Sequence, residues 1–149
     1  MKLIAHRGLT EGPNKELENH PDQILKSLKD GYNCEIDLWI IDSDFYLGHD
    51  KPDYPIHKEW LGKLGLWIHA KNLAALRWLT TTDLEYFWHQ NDDFILTSHN
   101  YIWTFPGKEL TQRSIMVMPE WHDPELKNLP THCYGICSDF VSLIPTAPV

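Results

Sequence analysis

The chain has no cluster of basic residues. Its 13 Lys and Arg stand against 21 Asp and Glu, for a formal net charge of −8. Binding a nucleic acid requires a basic face that displaces counterions, so a nucleic-acid partner is not expected. No apolar run approaches the roughly 20 residues that cross a bilayer, so no stable membrane anchor is expected either. Met1-Lys2 leads directly into a short strand-like run with Arg7 close behind, which is not the layout of a secretory signal. A cytoplasmic location is the default expectation. Cysteine is scarce and odd in number: Cys34, Cys133 and Cys137. That argues against a closed disulfide set, and with no second pair beside Cys133 and Cys137 a structural zinc site is not expected. The thiols read as buried and inert. Repeats, low-complexity tracts and linkers are also missing. What remains is 149 residues with 42% apolar content, enough for one core. A single domain over residues 1–149 is expected.

The chain reads as alternating strands and helices in its first half. Lys2–His6 is a strand that breaks at Gly8. Residues 9–19 are loop. Asn19 or His20 caps a helix whose first turn holds Pro21, and Gly31 sits where a helix C′ residue belongs. Asn33–Ile41 is a strand, with Cys34, Ile36 and Leu38 on one face and Glu35, Asp37 and Trp39 on the other. Phe45–Leu47 returns as a short strand. Lys58–Leu64 is a helical turn or two, Leu66–Ala70 a strand and Leu73–Leu79 a helix. After Asp83 strand-like runs follow closely: Leu84–His89, Phe94–Ser98, Tyr101–Phe105, Ile115–Met118 and Tyr134–Ser138. Only Pro124–Leu129 leaves room for another helix. About eight strands suggest an α/β fold, a compact TIM-type (β/α)8 barrel with several helices shortened or missing in the second half. Bare apolar barrel surface there would pair with a second copy, so a homodimer is expected.

Chemistry gathers at the ends of the early strands. Glu35 and Asp37 alternate on one strand and so share a face. Two carboxylates side by side repel unless a cation joins them, and hard oxygen ligands favour Mg²⁺ or Ca²⁺. His6 and His49 follow neighbouring strands and suit proton transfer near neutral pH. Arg7 carries a fork that grips a phosphate; its structural alternative is an ion pair with Glu35 or Glu18. Lys71 suits neutralisation of charge growing on a phosphate. Past another strand, Trp88-His89 opens a polar loop in which His89 can reach a substrate. Trp103 precedes another strand end and is either core or pocket wall. His20, His57, His122 and His132 share no spacing that would make one metal site.

His6-Arg7-Gly8, Glu18-Asn19, Glu35-x-Asp37 and His49-Asp50, in this order, resemble the signature of the glycerophosphodiester phosphodiesterase family, which belongs with the phosphatidylinositol-specific phospholipase C-like phosphodiesterases. Lys71 matches a lysine at the end of the third strand, and Gly135-x-x-Ser138-Asp139 resembles the last strand. The resemblance implies a barrel and a metal-dependent phosphoric diester hydrolase acting on a small phosphodiester. It implies His6 and His49 as the proton carriers, Arg7 and Lys71 as the phosphate clamp, Asn19 on the first loop or the phosphate, and a divalent metal on Glu35 and Asp37. His69-Ala70-Lys71 departs from the family's Glu-x-Lys. His69 is then a nitrogen ligand that turns the site towards Mn²⁺ or Zn²⁺, or a direct donor to the phosphate, or a hydrogen-bonded core histidine. Glu120 is the nearest match to an acid of the family's fifth strand. The departures leave a second reading, a barrel that binds phosphate without turning it over.

Overall fold

The computed structural model describes residues 1–145. It holds two α-helices and ten strands in one mixed sheet. The strands are β1 (Lys2–Ala5), β2 (Asn33–Ile41), β3 (Asp44–Leu47), β4 (Tyr54–Ile56), β5 (Leu66–Ala70), β6 (Tyr86–Phe87), β7 (Phe94–Leu96), β8 (Ile102–Thr104), β9 (Ser114–Val117) and β10 (Gly135–Ser138). The helices are α1 (Pro21–Lys29) and α2 (Leu73–Leu79). No described helix is long and apolar enough to cross a membrane.

The architecture is a curled, strand-rich half-barrel, and this corrects the (β/α)8 TIM barrel expected from the strand count. A (β/α)8 barrel needs eight parallel strands, each followed by a helix. Here β6-β5-β2-β1-β10-β9-β8 run parallel, while β3, β4 and β7 are antiparallel additions. No ladder joins β6 to β7 or β8 among the described residues. The cause is loop length. Residues 97–101 are too few to carry a crossover helix, so β7 and β8 form a hairpin instead. Residues 105–113 carry β8 to its parallel neighbour β9 without a helix. Pro124–Leu129, where a helix was also expected, is turns around a buried Leu126 at φ 54°.

β2 organises the sheet. Its start pairs with β1 and its far end with β3 along one edge, while β5 runs along the other. Both strands at the centre are buried on both faces: β10 is small and apolar but for Ser138, whereas β2 buries Glu35 and Asp37 on its inward face. The alternation sorts two cores. Ala5, Cys34, Ile36, Leu38 and Ile68 face outwards and pack with Ile24 of α1 and Ala75 and Leu79 of α2. Ile4, Trp67, Phe87, Ile95, Trp103, Ile115 and Cys137 fill the inside of the curl. Positions two residues further along these inward faces therefore meet at the C-terminal ends of the parallel strands.

The helices are set by their caps. The His20 side chain accepts the Asp22 N–H at 3.1 Å, and Pro21 occupies the first turn where its missing N–H costs nothing. Gly31 follows with φ +98°, the left-handed stop. Asn72 caps α2 by accepting the Ala75 N–H at 3.0 Å, and its amide donates to the Ile40 carbonyl at 2.9 Å. That second bond ties the helix start to the end of β2.

Candidate metal centre

Glu35 and Asp37 project from β2 into the curl, and His69 projects from the matching register position of β5, opposite Asp37. One ligand atom from each lies within 4.8 Å of the others. Both carboxylates are buried, Glu35 at 3% and Asp37 at 1% exposure. Burial disfavours a charged Glu35, the Asp37 charge adds to it, and its carboxyl is pushed up to about 7 against the opposing fields of His6, His69 and Arg7. Asp37 moves the other way. Burial opposes its charge, but His69, the Asn19 amide and Arg7 outweigh it and hold its carboxyl below the usual range.

His69 lies between two acceptors. Its Nε2 lies 3.3 Å from the His89 carbonyl oxygen, an acceptor like the Asp37 carboxylate on the other side of the ring. Its Nδ1 faces Asp37 Oδ1 at 3.0 Å. That oxygen is buried and has no other polar neighbour in hydrogen-bonding geometry among the described residues. A nitrogen and an oxygen lone pair at this separation repel unless a proton or a cation lies between them. Neighbouring ligand atoms on an ion with bonds of about 2.1 Å are about 3.0 Å apart, so this separation suits a shared proton and a small divalent cation alike. A ligating histidine whose other N–H is held by a backbone carbonyl is a frequent second-layer arrangement. On these grounds the three residues fit a divalent metal.

His6, Arg7 and Gly8 form a tight turn after β1. Arg7 sits at φ 54° and Asn19 at φ 60°, both left-handed, and the Asn19 N–H donates to the Arg7 carbonyl at 2.9 Å. The Gly8 carbonyl is gripped by Gln23 at 3.0 Å and Ser27 at 2.7 Å. A Cβ on Gly8 would meet Ile24 Cγ1 at 2.9 Å, so α1 packs directly on this turn. The turn aims two groups. The Arg7 N–H donates to Glu35 Oε2 at 3.1 Å, and the guanidinium donates through Nη1 to Glu18 at 2.9 Å. His6 donates through Nδ1 to Asp139 at 2.8 Å, leaving Nε2 3.9 Å from Glu35. Burial favours neutral His6, but the Asp139 bond and the Glu35 field outweigh it and raise its pKa.

His49 follows β3. The Gly48 N–H donates to the Asp37 carbonyl at 3.1 Å, and the Trp39 indole donates to the Gly48 carbonyl at 2.7 Å. A Cβ on Gly48 would meet the Lys51 carbonyl oxygen at 1.9 Å, so only glycine lets the chain pass this close. His49 donates through Nδ1 to Asp50 at 2.7 Å. Burial and the Arg7 and Lys71 charges lower its pKa against the pull of Asp37 and Asp50.

One cavity of about 170 Å³ unites most of the sequence-derived residues: His6, Arg7, Glu35, Asp37, His49, His69, His89 and Trp103 line it. Lys71 and Asn19 do not. Lys71 is half-buried, forms no ion pair among the described residues, and acts on His49 and His89 through its charge. Asn19 is fully buried and spent on Asp37: it donates to Oδ2 at 2.8 Å and accepts the Asp37 N–H at 2.9 Å. Its place is behind Asp37. Trp103 is a wall residue, stacked on Phe87 at 4.6 Å.

Two charged groups gain their partners in the structure. Asp139 continues the inward alternation two residues past Cys137, a signal present in the sequence at the end of the last strand. Glu18 pairs with Arg7 and had been one of its two structural alternatives. Glu120 accepts from the Ser138 hydroxyl at 2.9 Å and the Asp139 N–H at 3.0 Å, so it orients Asp139 and does not line the cavity. Three buried side-chain polar atoms lack a hydrogen-bond partner among the described residues: Arg7 Nε, Asp37 Oδ1 and His89 Nδ1. All three belong to residues lining this cavity. Buried orphans of this kind call for an ion or ligand. The chain matches no protein-family model, no curated protein and no solved structure.

Proposed function

We propose that the chain is a metal-dependent phosphoric diester hydrolase with chemistry like that of the glycerophosphodiester phosphodiesterases. The observation that carries the proposal is the gathering at one cavity of every orphaned buried side-chain polar atom among the described residues, in a lining that holds two carboxylates and four histidines. Glu35, Asp37 and His69 would hold the ion, with Mg²⁺ or Ca²⁺ suited to the carboxylates and Mn²⁺ to the mixed oxygen and nitrogen set. When bound, a divalent ion supplies charge neutralisation and polarisation of a phosphoryl oxygen.

The chain's own groups divide the remaining work. Arg7 is held by Glu18 with Nε left free, so its fork can take a phosphate oxygen. Lys71 adds positive charge from behind. The two histidines are pushed apart in acidity, which assigns their roles. His6, raised by Asp139 and Glu35, is the proton donor to the leaving oxygen. His49, lowered and with Nε2 free of its Asp50 bond, accepts the proton of the attacking hydroxyl or water. A hydroxyl next to the phosphate on the substrate would attack first and give a cyclic phosphate.

The test is hydrolysis of glycerophosphodiesters and bis-p-nitrophenyl phosphate with Mg²⁺, Mn²⁺ or Ca²⁺ in turn. Turnover lost on His6→Ala while metal binding persists supports the assignment; unchanged turnover in that variant refutes it. The competing reading, phosphate binding without turnover, draws on Lys71, which stands off the cavity. Tight phosphate binding with no product from any ester would favour it.

A further inference from the structure

The cavity has two unlike walls, and the division follows the strands. Ends of β1, β2 and β5 and the turn after β3 supply the charged wall already described. Opposite, β6, β8 and β9 and the segments after β8 and β9 supply Phe87, Trp103, Phe105, Val117, Met118 and Trp121. The only polar atoms on these six side chains are two indole N–H groups and a thioether sulfur. Phe87 and Trp103 are buried and stacked, a rigid floor. Phe105 and Trp121 meet edge-to-face at 6.4 Å at the rim and remain 41% and 61% exposed. Large aromatics left half in water beside a charged cleft are unfavourable unless something covers them.

Resting on the phosphodiesterase reading, we propose that this wall selects the substrate: a phosphodiester in which one alcohol is a ring-sized or short-chain hydrocarbon, not a polyol. A glycerol or inositol group placed here would bury hydroxyls against carbon, and each unmatched hydroxyl weakens binding by about 5- to 150-fold. An apolar substituent loses nothing and covers the rim. Size agrees. An apolar cavity of about 150 Å³ accepts benzene, and this one, at about 170 Å³, must also admit the phosphate from its open side. Where the second alcohol also lacks a hydroxyl beside the phosphate, water is the nucleophile. The water oxygen bonds to phosphorus as the phosphorus–oxygen bond to the leaving alcohol breaks. His49 takes the water proton, His6 protonates the departing oxygen, and a phosphomonoester and an alcohol result.

The experiment uses three p-nitrophenyl phosphodiesters with a common leaving group, whose second alcohol is benzyl alcohol, n-butanol or glycerol. They are tested on the Mn²⁺-loaded protein. Calorimetric binding of benzylphosphonate and of glycerol 1-phosphate is measured alongside. The benzyl and butyl esters should exceed the glyceryl ester in kcat/KM by at least about tenfold, the scale of one ring-sized group leaving water. Benzylphosphonate should bind more tightly than glycerol phosphate by a similar factor. Phe105→Ser and Trp121→Ser, at rim positions that spare the core, should narrow both ratios. Cleavage of the glyceryl ester directly to glycerol phosphate, without a cyclic phosphate, as fast as the others overturns the inference and leaves the phosphodiesterase reading standing. Preferential benzylphosphonate binding with no ester cleaved upholds the wall's selectivity and overturns the hydrolase. Equal or absent binding of both ligands, with no cleavage, overturns both.

Discussion

Glu35→Gln should make the metal-free protein more stable at pH 8 and leave it nearly unchanged at pH 5. The substitution keeps shape and keeps an oxygen to accept the Arg7 N–H. It removes a charge that sits 3% exposed beside Asp37. With its carboxyl raised from 4.5 to about 7, Glu35 binds more protons folded than unfolded between those values. Stability therefore falls as pH rises through that window. At about 1.4 kcal/mol per unit, the loss by pH 8 is about 3 kcal/mol. His6, with its raised pKa, also loses its contribution as pH rises, and Asp139 preserves that trend in both proteins. Asp37 has a depressed pKa, so its contribution is lost only on acidification below its unfolded value of 3.8, and it cancels across pH 5–8. Urea unfolding in EDTA at the two pH values measures the difference. A chain of this length should show a rise in Tm of about 6–12 °C at pH 8. Adding Mn²⁺ should reverse the order, since only the natural protein keeps both carboxylates. A variant less stable than the natural protein at pH 8 without metal would refute the reasoning, as would equal differences at both pH values.

Asn19→Ala should destabilise the fold by about 2–4 kcal/mol, because it strands the Asp37 N–H and one carboxylate oxygen in the core; a urea midpoint unchanged from the natural protein would show that Asn19 does not support Asp37. Asp139→Asn should lower the His6 pKa, so the limb where activity falls with rising pH moves to lower pH, with kcat reduced more than KM; an unmoved limb would separate His6 from that limb. Gly48→Ala should weaken folding and lower turnover together, since the Lys51 carbonyl leaves no room for a Cβ, and a fully active variant would show that the turn yields freely. We also propose that β7, an edge strand with Phe94 52% and Leu96 67% exposed, is where a second copy pairs. Light scattering at micromolar concentration should give twice the chain mass, and a monomer mass would reject the pairing.

Much of the site was legible because a strand's alternation is rigid. Once β2 is recognised, Glu35 and Asp37 must share a face, and the β5 register places His69 beside Asp37. Asp139 lies on the same alternation two residues past Cys137, but its bond to His6 joins the two ends of the chain and no local pattern shows it. The bonds of Asn19 to Asp37 were not legible, because they depend on a left-handed backbone at φ 60° that no periodicity reveals. The fold was misjudged for a different reason. Strand count does not fix strand direction, and the short links after β6 impose a hairpin and helix-free crossovers where a full barrel needs helices. The two-faced cavity was illegible locally, since its apolar wall comes from three strands far apart in sequence.

The most direct test of the metal centre is titration of Mn²⁺ into the metal-free protein at pH 7.5, followed by the loss of the free-ion paramagnetic signal. The account predicts one site per chain, weakened at least about tenfold by His69→Gln and abolished by Asp37→Asn, with both variants still folded by circular dichroism. No binding to the natural protein, or binding unchanged in Asp37→Asn, would contradict it.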